Sequence, residues 1–234
     1  MTLLVGFMSM VITGLGIVWF AVRFGKRRTC TFARVAEQLG LSFTQAIPLS
    51  SYANRPSEAW ITAPIFRTGG TIVNMMSGRV DNREIRIFEY PDPNWSGESP
   101  HSFTAAAFFQ TPALPRFTLR PRSIKDKILS RFKPRGLLFK MHSRFSKRYA
   151  LIAQDNTAIR QLFHENILGV FETISPPWSI ECVGEWAVIY HQPSFSVIGE
   201  QSGRVGAEEL PQFIDDTKKV VQLLRTPQTT VQII

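Results

Sequence analysis

Cysteine is nearly missing from this chain: Cys30 and Cys182 are the only two. Two thiols are too few for a disulfide-stapled scaffold, and their scarcity fits a reducing compartment. Histidine is as sparse. His101, His142, His164 and His191 are scattered, and nothing has the ligand spacing of a zinc site. There is no Gly-x-Ser-x-Gly elbow, no glycine-rich loop ahead of a phosphate-binding lysine, and no His-Glu-x-x-His. The residues therefore nominate no catalytic group, no cofactor and no metal. The expectation is a protein that is not an enzyme.

Charge is missing from Thr2 to Val22, which reads TLLVGFMSMVITGLGIVWFAV. At about 1.5 Å per residue, a helix of that length spans roughly the 30 Å of a hydrocarbon core. The run is too long, and its flank too basic, for a cleaved leader. Arg23, Lys26, Arg27 and Arg28 follow it and no basic side chain precedes it. The positive-inside rule then predicts a single-pass anchor with residues 23–234 in the cytoplasm. Gly6, Ser9, Thr13 and Gly16 share one helical face, so self-association or a protein partner stays open.

Acids are missing from residues 116–148. Twelve basic residues lie there against Asp126 alone, a net of +11; the remaining 15 basic and 17 acidic residues sum to −2. The chain reads as a near-neutral domain with one basic belt. With the anchor's flank, it nominates Arg23, Lys26, Arg27, Arg28, Arg120, Arg122, Lys125, Lys127, Arg131, Lys133, Arg135 and Lys140 for contact with lipid or another polyanion. An anionic lipid surface ranks first, because each basic residue near it contributes about 1 kcal/mol. Nucleic acid ranks second: Phe117, Phe132, Phe139, Phe145 and Tyr149 interleave with the charges, as in single-strand platforms. A solvated basic face with no partner is the bland reading.

Between these features the chain alternates helical and strand patterns. Phe32, Val35, Ala36 and Leu39 have helical spacing, and Gly40 stops it. Leu41–Thr44 alternates briefly, like a short strand, and 46–70 is punctuated like a loop. Ile72–Val80 and Glu84–Tyr90 form a hairpin about Asp81-Asn82, and Trp178–Val183 and Trp186–His191 form another about Gly184-Glu185. Ser123 heads a short amphipathic helix, Asp155 caps one running to about Glu172, and a last helix covers about Glu208 to Arg225. The predicted fold is α+β: an N-terminal transmembrane helix, then antiparallel sheet with amphipathic helices packed on one face. Residues 1–28 are the anchor and its flank, and 29–226 the cytoplasmic domain, as one sheet or two subdomains split near 115–148. Residues 227–234 are a frayed tail.

Several segments carry a resemblance: Leu39-Gly40, Ser77-Gly78, Leu114-Pro-Arg-Phe-Thr-Leu-Arg-Pro121, Phe145-x-x-x-Tyr149, the Asp155-led helix ending at Leu168, and Glu181 to Tyr190. Together the chain resembles an uncharacterised family of bacterial single-pass membrane-anchored proteins. That resemblance implies a bacterial cytoplasmic-membrane location and no activity.

Overall fold

The computed structural model describes residues 26–52, 55–91, 102–122, 136–192, 194–196, 199–201 and 203–225. Its strands are β1 (Ser42–Pro48), β2 (Thr71–Val80), β3 (Arg83–Pro91), β4 (Ser102–Phe109), β5 (Phe117–Pro121), β6 (Tyr149–Ala153), β7 (Ser179–Val183) and β8 (Trp186–Tyr190). They form one antiparallel sheet in the order β1-β2-β3-β4-β8-β7-β5-β6. Two short strands, β9 (Ser194–Ser196) and β10 (Gly199–Gln201), pair only with each other. The described helices are α1 (26–38), α2 (Ser143–Arg148), α3 (Asn156–Leu162), α4 (Glu165–Thr173) and α5 (Leu210–Arg225).

Local chemistry accounts for several boundaries. Asp81 and Asn82 both take positive φ, 51° and 61°, which a two-residue hairpin turn requires. Gly40 takes φ 66° just past α1, the left-handed cap that ends many helices. Asp155 caps α3 by accepting from the Thr157 and Ala158 amides. The single helix expected from Asp155 to Glu172 instead breaks at Phe163. That residue leaves helical geometry at φ −87°, ψ 63°, and His164 starts α4. The break seats the Phe163 ring in the core, 1% exposed.

Both faces of the sheet are covered. On one, Phe32, Val35 and Ala36 of α1, Phe145 of α2, Ile167 and Phe171 of α4, and Phe213 and Val221 of α5 pack against Met76, Ile87, Leu119 and Ile189. On the other, Trp60 is the centre of a second core with Leu49, Tyr52, Phe66, Phe88 and Trp186. Its ring lies 5.1–5.6 Å from those of Tyr52, Phe66 and Phe88. Short 3-10 turns, Leu49–Tyr52, Pro56–Thr62 and Pro64–Phe66, carry this layer.

Two parts of the predicted fold are corrected. Helices do not cover the sheet alone; the segment read as loop forms the second layer, after β1 extends four residues further than expected. The transmembrane helix drawn from Thr2 to Val22 lies outside the described residues. Among the described residues no helix is long and apolar enough to cross a membrane. The first described helix is amphipathic, and its basic start belongs to the domain. Arg28 donates Nε to Glu89 Oε1 at 2.7 Å and Nη2 to the Val205 carbonyl at 2.7 Å. A single-pass architecture is therefore not retained.

Candidate functional site

Strand register places the end of β5 and the start of β6 at one end of the sheet. Glu89 faces Thr104, Ala105 faces Tyr190, Tyr190 faces Ser179, Leu119 faces Ile180, and Pro121 faces Tyr149. The segment between β5 and β6 therefore leaves and re-enters at the same end as Glu89, where the start of α1 is tied. Glu89 on β3 and Tyr149 on β6 are five strand spacings apart, about 24 Å. The start of α1 and the start of β6 therefore share an end of the sheet and lie apart along it.

The nominated residues have three fates. Arg23, Lys125, Lys127, Arg131, Lys133 and Arg135 lie outside the described residues. Lys26, Arg27 and Lys140 are exposed. The rest are engaged. Arg28 shares the fully buried Glu89 carboxylate with Arg204, while Asn74 donates Nδ2 to Glu89 Oε2 at 2.6 Å. Arg122 donates Nε to the Ser146 and Tyr149 carbonyls, both at 2.9 Å. Arg120 is half-buried on β5, its charge felt by the Tyr190 phenol. Arg148, in the belt but not nominated, donates to the Glu172 and Ile174 carbonyls at the end of α4. Guanidinium groups that satisfy orphan helix carbonyls are structural.

What the sequence reading missed is the loop 136–142, beside the β6 edge. Gly136 takes φ 102°, and a Cβ there would sit 2.7 Å from the Leu151 carbonyl oxygen. The close approach lets Leu137 N–H donate to that oxygen at 2.7 Å. Phe139 N–H donates to Ser146 Oγ at 2.9 Å and His142 N–H to the Phe139 carbonyl at 3.1 Å. The Arg160 guanidinium lies over the Phe139 ring and donates to the Leu138 carbonyl. His142 Nδ1 sits 3.3 Å from Glu172 Oε1, which also accepts from Phe145 N–H. From this braced backbone Met141 projects 91% exposed and Leu138 48% exposed. Lys140, Arg144 and Lys147, all exposed, lie within nine positions of Leu138 along the same stretch of chain. An exposed apolar pair among exposed cations was not visible in the charge count, because Leu138 and Met141 carry no periodic signal.

The aromatics proposed as a stacking platform are spent elsewhere. Phe117 is 3% exposed and Phe145 and Tyr149 are fully buried; Phe145 stacks on Tyr149 and meets Phe139 edge-on. Phe132 lies outside the described residues.

The other buried polar groups are internal fastenings. Glu181 is 3% exposed; Tyr190 Oη donates to its Oε1 and Ile65 N–H to its Oε2, both at 2.9 Å. Burial pushes this carboxyl above its ordinary range, against the pull of those donors and of Arg67. A raised folded value means that Glu181's contribution is complete at acid pH and is lost as pH rises through that value. Glu181→Gln keeps an acceptor for Ile65 and meets Tyr190 with its amide. It should raise the melting temperature at pH 8, with the gain shrinking toward pH 4; a lower melting temperature at pH 8 would contradict this. Cys182 is buried and burial pushes its thiol far up, whereas Cys30 is exposed. A thiol reagent should therefore titrate one cysteine in the native chain and the second only on unfolding. Two fast-reacting thiols would show the β7 core to be open. Among the described residues no group of His, Cys, Asp and Glu could hold a metal ion.

No protein-family model and no curated protein matches the sequence. Among solved structures, the fold is similar to the crystal structure of the mycobacterial trehalose monomycolate transport factor A, TtfA. The TM-score is 0.51 at 14% identity, over 87% of this chain and 98% of that one. The likeness is one of fold. It places the sheet and its two covering layers in an architecture already seen in a bacterial protein, and it assigns no residue of this chain a role.

Proposed function

We propose that the chain is a non-catalytic interaction domain that docks on an anionic lipid surface through the loop 136–142 and its basic surroundings. The observation that carries this reading is the braced, exposed apolar pair Leu138 and Met141, with the exposed cations Lys140, Arg144 and Lys147 on the same stretch of chain. Apolar side chains gain by leaving water at the acyl boundary, while the cations meet anionic headgroups. A rigid backbone lowers the ordering cost of that contact. The cytoplasmic face of a bacterial membrane is the surface this chemistry fits, with the domain bound peripherally. The structural neighbour's part in trehalose monomycolate transport accords with a lipid-facing role.

Nucleic acid remains the second reading on the strength of the charge alone. It is disfavoured by the burial of Phe117, Phe145 and Tyr149, since a base can stack only on an accessible ring. The deciding experiment compares binding to phosphatidylglycerol vesicles, neutral phosphatidylcholine vesicles and a single-stranded oligonucleotide at matched ionic strength. The expected order places the anionic vesicles first, with release by salt as the Debye length shortens. Tighter binding to the oligonucleotide, or no preference for anionic over neutral vesicles, would overturn the proposal.

A further inference from the structure

The two edges of the sheet are treated differently. At β6 the Gly136-Leu137 backbone lies against Leu151 and takes its carbonyl, which blunts that edge. At β1, among the described residues, no backbone group pairs with the outer side. β1 reads SFTQAIP, without a charged residue. Open edges of natural sheets are commonly protected by charges, bulges or covering segments, and seven uncharged residues offer no charge to repel a strand.

A cleft opens beside that edge. Its volume is about 310 Å³, and Ser42, Ser77, Gly78, Arg79, Glu84 and Arg86 line it, a size at the lower end of ligand sites. Register explains its composition: Ser42 faces Ser77 and Ser77 faces Arg86, so three strands contribute one row to the second face of the sheet. Arg86 is committed, donating to Glu58 Oε1 at 2.9 Å and Glu84 Oε1 at 2.6 Å, with its guanidinium over the Trp186 ring. Arg79 faces Glu84 across the strands, yet among the described residues no carboxylate pairs with it. Arg86 is thus matched by two carboxylates, Glu58 and Glu84, and Arg79 is the guanidinium in the cleft lining without a carboxylate partner among the described residues.

We propose that the outer edge of β1 receives an extended peptide as a ninth strand, with an acidic side chain of that peptide entering the cleft toward Arg79. Strand addition draws affinity from the backbone ladder and specificity from pockets beneath alternate side chains. The row Arg86–Ser77–Ser42 extends by one position onto the incoming strand, and the side chain at that position meets the cleft. A carboxylate there pairs with Arg79, and the Ser42 hydroxyl lies alongside it. A second copy of this chain does not fit as well, because β1 carries no acid to place there.

The test is selection of peptides from a displayed library, seven randomised positions between fixed β-forming flanks, on the immobilised full chain. Enriched peptides should share Asp or Glu at one position with β-branched or aromatic neighbours. Replacing that acid by its amide should weaken binding by at least tenfold. Ser42→Glu, which supplies the cleft with its own carboxylate, and Arg79→Gln should each do the same with an unchanged melt. Bound peptide should also slow amide exchange over residues 42–48. Failure to enrich, enrichment without a shared acid, or equal binding by both variants would overturn the proposal. A dimer of the unliganded chain that Ser42→Glu disrupts would overturn it too, by giving the edge to a second copy.

Discussion

Replacing Lys140, Arg144 and Lys147 together by Gln should weaken binding to anionic vesicles by roughly a hundredfold. The three side chains are exposed on the same stretch of chain as the exposed Leu138 and Met141. At about 1 kcal/mol for each basic residue near an anionic surface, their loss removes about 3 kcal/mol, or some two decades of affinity. The melting temperature should change little, because none of the three packs in either core. Lys219→Gln on α5 serves as a control for loss of a basic residue away from the loop, since that lysine pairs locally with Asp216 at 2.9 Å. Met141→Ser should add a distinct loss at fixed ionic strength, because it removes the apolar contact without changing the charge. Vesicle binding by the triple variant equal to that of the unaltered chain would remove the loop from the docking surface.

Arg28→Met should lower stability by about 3 kcal/mol, which for a domain of this size shifts the melting temperature by about 6–12 °C. The Arg28 side chain is 19% exposed and Glu89 not at all, so screening by solvent is slight. The loss arises from the uncompensated carboxylate more than from the missing contact. Arg204 lies 3.1 Å from the same oxygen but is 41% exposed and replaces the partner only in part. Adding Glu89→Gln should recover some of the loss, because the amide is neutral and its oxygen still accepts from Asn74. A variant that melts like the unaltered chain would mean that the start of α1 is not built into the domain. Arg28 would then be available to an outside anion after all.

Much of the architecture follows from residues close together in sequence. The Asp81-Asn82 turn, the Gly40 stop and the Asp155 cap each act over one to four positions. The runs of β-forming residues about a turn that mark β2, β3, β7 and β8 and the spacing that marks α5 need no partner to be recognised. The density of charge in 116–148 is likewise a property of the chain alone. The second core was hidden because its 3-10 turns have no helical or strand period. Trp60 and Phe66 sit in a proline-punctuated stretch, PSEAWITAPIF, with neither period, and only the sheet beneath them gives them a common direction.

Most helices and strands, and the amount of positive charge, can be read from the chain alone. Which of those charges face water depends on the folded arrangement. Arg28 is bound by a carboxylate 61 positions away, and Arg122 and Arg148 are held by carbonyls 24–27 positions away. Turns, caps and amphipathic periods arise from sterics and hydrogen bonds within one or two turns of chain. Whether a guanidinium faces water or a buried acceptor depends on which distant strands pair, and the register of the assembled sheet determines that.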